Sequence, residues 1–142
     1  MDFLSLSASE LSRRVHAREL SCRDLMQATL ARIAAQNPTY NAIVNLAEPE
    51  NLLAQADACD AELAAGRSRG WLHGLPIAIK DASDAQGFPT TRGCVLLRDH
   101  RPARDSVMTA RLRAAGCIVI GKTNIPEFGL GSHTFNSVFG PT

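Results

Sequence analysis

The chain has 142 residues and a formal net charge of +1, with acidic and basic residues interspersed. That length suits one ordinary domain with a real core, and the charge balance leaves no footprint for nucleic acid or an anionic membrane. Aromatic residues make up only 5% of the sequence, and much of the apolar content is alanine, a composition suited to close-packed helices over a sheet.

The N-terminus has no basic region and no long apolar core, so no signal peptide is expected, and no apolar run approaches a membrane span. The four cysteines, Cys22, Cys59, Cys94 and Cys117, form no Cys-x-x-Cys pair, which favours reduced, mostly buried thiols in a cytoplasmic protein. The four histidines, His16, His73, His100 and His133, show no metal-ligand spacing, so zinc is not expected.

Ser7-Ala8-Ser9-Glu10 has the pattern of a capping box and predicts a short helix with Leu11 and Val15 on its inner face. Ser21-Cys22-Arg23-Asp24 starts a second helix, with Leu25, Thr29 and Ile33 at four-residue steps and an end at Asn37-Pro38. Ile43-Val44 suggests a short strand. A longer helix follows from Pro49, with Leu52, Ala56, Cys59 and Leu63 at helical spacing and Gly66 as its cap. Such stripes ordinarily cover a core.

Gly66–Gly70 connects a mainly helical part, residues 1–66, to a second part, 67–142, within one domain. Pro76 to Ile79 is a continuous apolar run bounded by turn residues and reads as a buried strand. It ends in Lys80-Asp81. Residues just past the carboxyl ends of strands face the ligand crevice in open α/β sheets. A desolvated lysine at such a place yields its proton more readily and can act as a base, whereas a solvated one is an ordinary surface cation. Asp81 suits a structural role, orienting Lys80 or capping the turn.

Gly93 to Leu97 reads as a brief strand or turn. A helix is expected over 105–115, with Val107, Met108, Leu112 and Ala115 apolar and Gly116 as its stop, followed by a strand at Cys117–Ile120. Strand, helix and strand make a β-α-β unit, expected to be right-handed. The two strands are expected to lack neighbours and to expose edges that invite aggregation. From Gly121 onward, frequent glycine, serine, asparagine and proline suit loops around a site.

Gly116-Cys117-Ile118-Val119-Ile120-Gly121-Lys122-Thr123 matches the phosphate-loop pattern letter for letter. That motif requires a strand before its first glycine and a helix straight after its lysine. Here the helix comes first and the intervening residues are themselves the strand. Nucleotide binding is therefore not expected, and Lys122 should support the loop at a strand end.

Taken in order, Leu72-His73-Gly74-Leu75-Pro76-Ile77-Ala78-Ile79-Lys80-Asp81, Gly87-Phe88-Pro89-Thr90-Thr91-Arg92-Gly93, Gly121-Lys122-Thr123-Asn124, Pro126-Glu127-Phe128-Gly129, Gly131-Ser132 and Phe135 to Thr142 closely resemble the amidase signature family of serine hydrolases. The resemblance is continuous from Leu72 to Thr142 and weaker before it. It implies an incomplete amidase signature fold of the α/β class, with N-terminal helices followed by the first strands of a mixed sheet flanked by helices. It also implies a Ser–cis-Ser–Lys triad in which Lys80 is the catalytic base.

In that family the two serines lie in glycine- and serine-rich segments beyond the Phe-Gly-x-Thr stretch. They are thus expected past Thr142, and these residues alone are expected to be inactive. Gly129, Gly131, Ser132 and Asn136 are implied as substrate-binding residues of the adjoining pocket. In the leading reading the partner implied is a small-molecule amide, with no nucleic acid and no membrane, and the resemblance implies neither a metal nor an organic cofactor. Oligomeric state is left open, a homodimer included.

Two other readings compete with an amidase fragment. One is the glutamine-hydrolysing subunit of an aminoacyl-tRNA amidotransferase, which shares the core. Such subunits usually carry glutamate where Phe135 stands, and Phe135 is more like the free-standing amidases. The other is a truncated, non-catalytic remnant, which the DNA downstream of Thr142 would decide.

Overall fold

The computed structural model describes residues 3–142. Among them, four α-helices and three strands follow in the order α1 (Ala8–His16), α2 (Cys22–Tyr40), β1 (Ile43–Leu46), α3 (Pro49–Ala64), β2 (Pro76–Lys80), α4 (Val107–Ala114) and β3 (Ile118–Thr123). The sheet order is β1-β3-β2. β1 runs antiparallel to β3, pairing Ile43 with Thr123 and Leu46 with Gly121. β2 and β3 are parallel, since Ile118 N–H donates to Leu75 O at 2.9 Å and Asp81 N–H donates to Thr123 O at 3.0 Å. The sheet is therefore mixed. β3, expected to lack neighbours, has a strand on each side because β1 returns to it.

The chain forms two compact units from interleaved stretches. The first takes the chain through Ala35, Glu48–Ile77 and Arg111–Val119. The second takes Gln36–Ala47, Ala78–Ala110 and Ile120–Thr142.

In the first unit, Ser7 caps α1 by accepting the Glu10 N–H at 3.2 Å. The Glu10 carboxylate turns to the arginines of its own helix. It accepts from Arg13 Nε at 3.0 Å and Arg14 Nε at 2.7 Å, and these guanidiniums hold its carboxyl down at about 2. Ser21 Oγ caps α2 through Asp24 N–H at 2.9 Å. The Asp60 carboxylate adds bonds from Cys22 N–H (2.8 Å) and Arg23 N–H (3.1 Å), an anion at the positive end of the helix. α3 starts with Pro49 and ends in a Schellman turn. Gly66, at φ +73°, donates to Leu63 O and Arg67 donates to Glu62 O, as the cap reading expected.

Val15, Leu25, Leu52, Ala56 and Cys59, from the predicted stripes, are fully buried here, as is Met26 beside them, whereas Thr29 and Ile33 are half-buried. Cys22 and Cys59, remote in sequence, come together, and Gly74 is the residue that lets them: a Cβ there would lie 2.1 Å from Cys22 Sγ. Their shared hydrogen bond and burial push the Cys22 thiol up, away from the reactive thiolate. All four cysteines are buried and none is in a disulfide. His73 is buried as well. It accepts from Arg69 N–H, so its Nε2–H donates to Cys59 O at 3.0 Å, a structural assignment with both nitrogens used.

Three expectations are corrected. α2 does not end at Asn37-Pro38 but runs to Tyr40. Pro38 falls in the last turn, and the Asn37 side chain accepts Ala42 and Ile43 N–H at 2.9 and 2.8 Å, ending the helix itself. α4 starts two residues late, with Ser106 Oγ accepting Thr109 N–H. It exposes Val107 and Met108 and buries Thr109, whose hydroxyl satisfies Asp84 O at 2.8 Å. Gly121-Lys122-Thr123 belongs to β3 rather than to a loop. Gly121 is required there, since a Cβ would meet Asn45 O of β1 at 2.4 Å.

Candidate functional site

The second unit carries the strand ends. Lys80 closes β2, exposed and with no hydrogen-bond or ion-pair partner for its amine among the described residues. Asp81, one residue on, is fully buried. Its carboxylate accepts from Thr91 N–H (3.1 and 3.2 Å) and Thr91 Oγ1–H (2.6 Å) and pairs with Lys122 Nζ at 3.3 Å. The role is structural, but the partners of the carboxylate are Thr91 and Lys122, and it does not bond Lys80.

Lys122, inside β3, is also fully buried. Besides Asp81 it donates to Ser83 O at 2.9 Å, Pro89 O at 3.3 Å and Thr90 Oγ1 at 2.7 Å. Three of these partners can only accept, which suits the three donors of an ammonium. Burial pushes the Lys122 amine below its ordinary value, while the Asp81 carboxylate opposes that shift. Lys122 thus fastens residues 83–90 to the sheet. No helix follows it: β3 runs on to Thr123, and Pro126 precedes a single turn at Glu127–Gly129, so the phosphate-loop geometry is missing.

The loop returns along the end of the sheet. Arg92 N–H donates to Asp81 O at 3.2 Å, and Phe128 N–H donates to Arg92 O at 2.8 Å. Both residues are in the left-handed region, Arg92 at φ 53° and Phe128 at φ 52°. Gly93 follows, where a Cβ would crowd Ile125 O at 3.0 Å. A cleft of about 250 Å³ is lined by Ala82, Arg92, Ile125 and Phe128.

A second cavity of about 320 Å³ is lined by Pro126, Glu127, Phe128, Leu130, Phe135 and Asn136, with Ser137. Of the expected substrate contacts, Asn136 lines this cavity. Its amide donates to Asn124 Oδ1 (2.7 Å) and Ile125 O (2.8 Å) and accepts Val138 and Phe139 N–H, so its polar atoms are occupied in shaping the wall. Gly129 and Gly131 have positive φ in the adjoining loop, and Ser132 is exposed, its hydroxyl 3.2 Å from His133 Nδ1. Phe128, Leu130 and Phe135 leave large apolar surfaces exposed here.

Sequence reasoning missed Arg92 and Phe128. The only local hint was a bulky residue directly before Gly93, and nothing in residue type betrays a positive φ. Among the described residues, no group of three or more histidine, cysteine or acidic side chains is placed to hold a metal ion. No described helix is long and apolar enough to cross a membrane.

The family described as Amidase matches residues 24–142. The chain is 45% identical over 141 residues to a glutamyl-tRNA(Gln) amidotransferase subunit from Salinispora arenicola (strain CNS-205). That alignment takes 99% of this chain and 28% of the relative. Among solved structures, native peptide amidase from Stenotrophomonas maltophilia superposes with a TM-score of 0.85 at 36% identity, over 96% of this chain and 29% of that one. Fatty acid amide hydrolase gives a TM-score of 0.90 at 28% identity, over 96% of this chain and 24% of that one. The chain thus spans under a third of the length of these relatives.

Proposed function

The chain belongs to the amidase signature family, a hydrolase-type enzyme family, and on that premise we propose that it supplies the base-bearing part of an enzyme cleaving a small carboxylic amide. The observation that carries this reading is Lys80, an unpartnered amine at the end of a strand. The next residue is locked by a buried carboxylate–lysine–threonine network. A base needs a free lone pair and a fixed position, and the network gives the second without consuming the first.

The reaction follows from that. A serine hydroxyl is a weak nucleophile until its proton is removed. Lys80, acting as the base, would take that proton through a bridging serine while the Oγ–C bond forms at the amide carbonyl. The C–N bond then breaks, the proton passes to the leaving ammonia or amine, and water releases the acid. Residues 1–142 contain Lys80 but neither family serine-rich segment, so the chemistry needs those segments as well. Gly129, Gly131, Ser132 and Asn136 would shape the substrate side, and a cytoplasmic setting suits four cysteines outside any disulfide.

A second reading, as the glutamine-hydrolysing subunit of a tRNA amidotransferase, is favoured by the 45% identity to one such protein over nearly the whole chain. Phe135, exposed in the pocket wall, speaks for a free-standing amidase. The test is to assay the full-length gene product for ammonia release from simple amides and from glutamine, alone and with partner subunits and charged tRNA. Turnover of simple amides without partners supports the first reading. Activity confined to glutamine with transfer to tRNA supports the second. No release in any combination overturns both.

A further inference from the structure

We propose that Arg92 determines substrate specificity: its guanidinium binds a carboxylate on the amide substrate, in the cleft lined by Ala82, Ile125 and Phe128. This rests on the amide-cleaving reading above and names the class of amide.

The backbone is the first ground. A non-glycine residue in the left-handed region costs on the order of 1–3 kcal/mol and persists only where its surroundings impose it. Arg92 and Phe128 both sit there and are joined by the Phe128 N–H to Arg92 O bond. The other bond from Arg92, to Asp81 O, ties it to the residue that follows Lys80. Asparagine or glycine would meet these backbone demands with less strain; Arg18 shares the conformation at φ 56°, and what sets Arg92 apart is its place in the cleft and its backbone bond to the residue that follows Lys80.

Charge is the second ground. The guanidinium of Arg92 has no hydrogen-bond or ion-pair partner among the described residues, whereas Arg13, Arg14, Arg23 and Arg69 are each held by a carboxylate. The charged groups of the surrounding stretches are Lys80, Asp81 and Asp84 before the loop, Lys122 on β3 and Glu127 beside Phe128. Asp81 and Lys122 cancel each other in their buried pair, and neither Asp84 nor Glu127 is bonded to Arg92. The cleft therefore offers an uncommitted five-donor fork between walls of alanine, isoleucine and phenylalanine, the geometry that takes a carboxylate through two parallel bonds.

The experiment compares succinamate with its methyl ester as amide substrates of the full-length gene product, following ammonia release, and titrates the same protein with glutarate by calorimetry. Arg92→Gly is the main variant, because glycine accepts φ 53° without strain and so guards against misfolding; Arg92→Lys keeps the charge but loses the fork. Hydrogen bonds to charged groups are typically worth about 1.5–3 kcal/mol, so wild type should prefer succinamate by about 10- to 100-fold in kcat/KM. Arg92→Gly should collapse that ratio toward one, mainly through KM, and abolish glutarate binding, with Arg92→Lys intermediate. A preference unchanged in Arg92→Gly, or no preference in wild type, overturns the proposal. If neither amide is cleaved but glutarate binds in an Arg92-dependent way, the carboxylate site stands and the hydrolase reading falls. If glutarate binding is absent or indifferent to Arg92, the site itself is refuted.

Discussion

Two lysines mark the ends of neighbouring strands and meet opposite fates. Lys80, at the end of β2, is exposed and unbonded; Lys122, within β3, is wholly buried with four oxygen partners. A lysine whose every donor is taken is a strut, and one with a free amine on a rigid stem is available for chemistry. By residue type alone Lys122 had the stronger motif, the letters of a phosphate loop, yet it is the one the fold has used up. What burial leaves unpaired is the Lys80 amine, and the proposed base rests on that difference.

The contrast breaks most sharply at Lys80. In the full-length gene product, Lys80→Ala should cost at least the 10²–10⁴-fold in kcat that a general base typically contributes, roughly. Lys80→Arg should fare almost as badly, because a guanidinium keeps its proton at working pH. Wild-type kcat in Lys80→Arg would make Lys80 a structural cation and dissolve the distinction.

Lys122 should show its effect in stability. Lys122→Met leaves the Asp81 carboxylate buried and unpaired, a loss of about 3–5 kcal/mol by the usual cost of breaking a buried pair. Denaturant unfolding measures it, and adding Asp81→Asn should recover part of the loss. Desolvation lowers the Lys122 amine, so between that lowered value and the ordinary 10.5 the unfolded chain binds more protons than the folded one. Within that window the Lys122 contribution to stability should rise with pH. An unfolding midpoint indifferent to Lys122→Met would show the strut to be idle.

Gly121→Ala sharpens the same point one residue away. The added methyl would stand 2.4 Å from Asn45 O, so β1 must shift, at a cost of about 1–3 kcal/mol for overpacking. Amide exchange should quicken in β1 first. An alanine variant as stable as wild type would mean that the strand contact is looser than described.

Glu10 gives the smallest effect. Its carboxyl is lowered from 4.5 to about 2 by Arg13 and Arg14, so its contribution is present above pH 4.5 and lost as pH falls through about 2. The group is exposed and screened, so the difference in melting between wild type and Glu10→Gln should be slight at neutral pH and vanish near pH 2. A difference that persisted at that acid limit would point to packing instead of charge.

Residue order alone determined the element types, the capping of α1 and α3, the strand that ends in Lys80 and the family resemblance. Periodicity and turn chemistry are local, and a family pattern survives as short words in order. It also sufficed to set aside the phosphate loop, since helix before strand is already the wrong order. Local rules failed in two places: Pro38 is tolerated in the last turn of α2, which the Asn37 side chain ends only past Tyr40, and the distant Asp84 carbonyl drew Thr109 inward in place of Val107 and Met108. Only the tertiary structure brought Asp81, Thr91 and Lys122 into one buried network and Cys22 against Cys59. It alone placed Arg92 and Phe128 in left-handed conformations beside the Lys80 turn. Those features depend on which atoms meet across the chain and on which polar groups remain unsatisfied once water is excluded, and no spacing along a sequence encodes either.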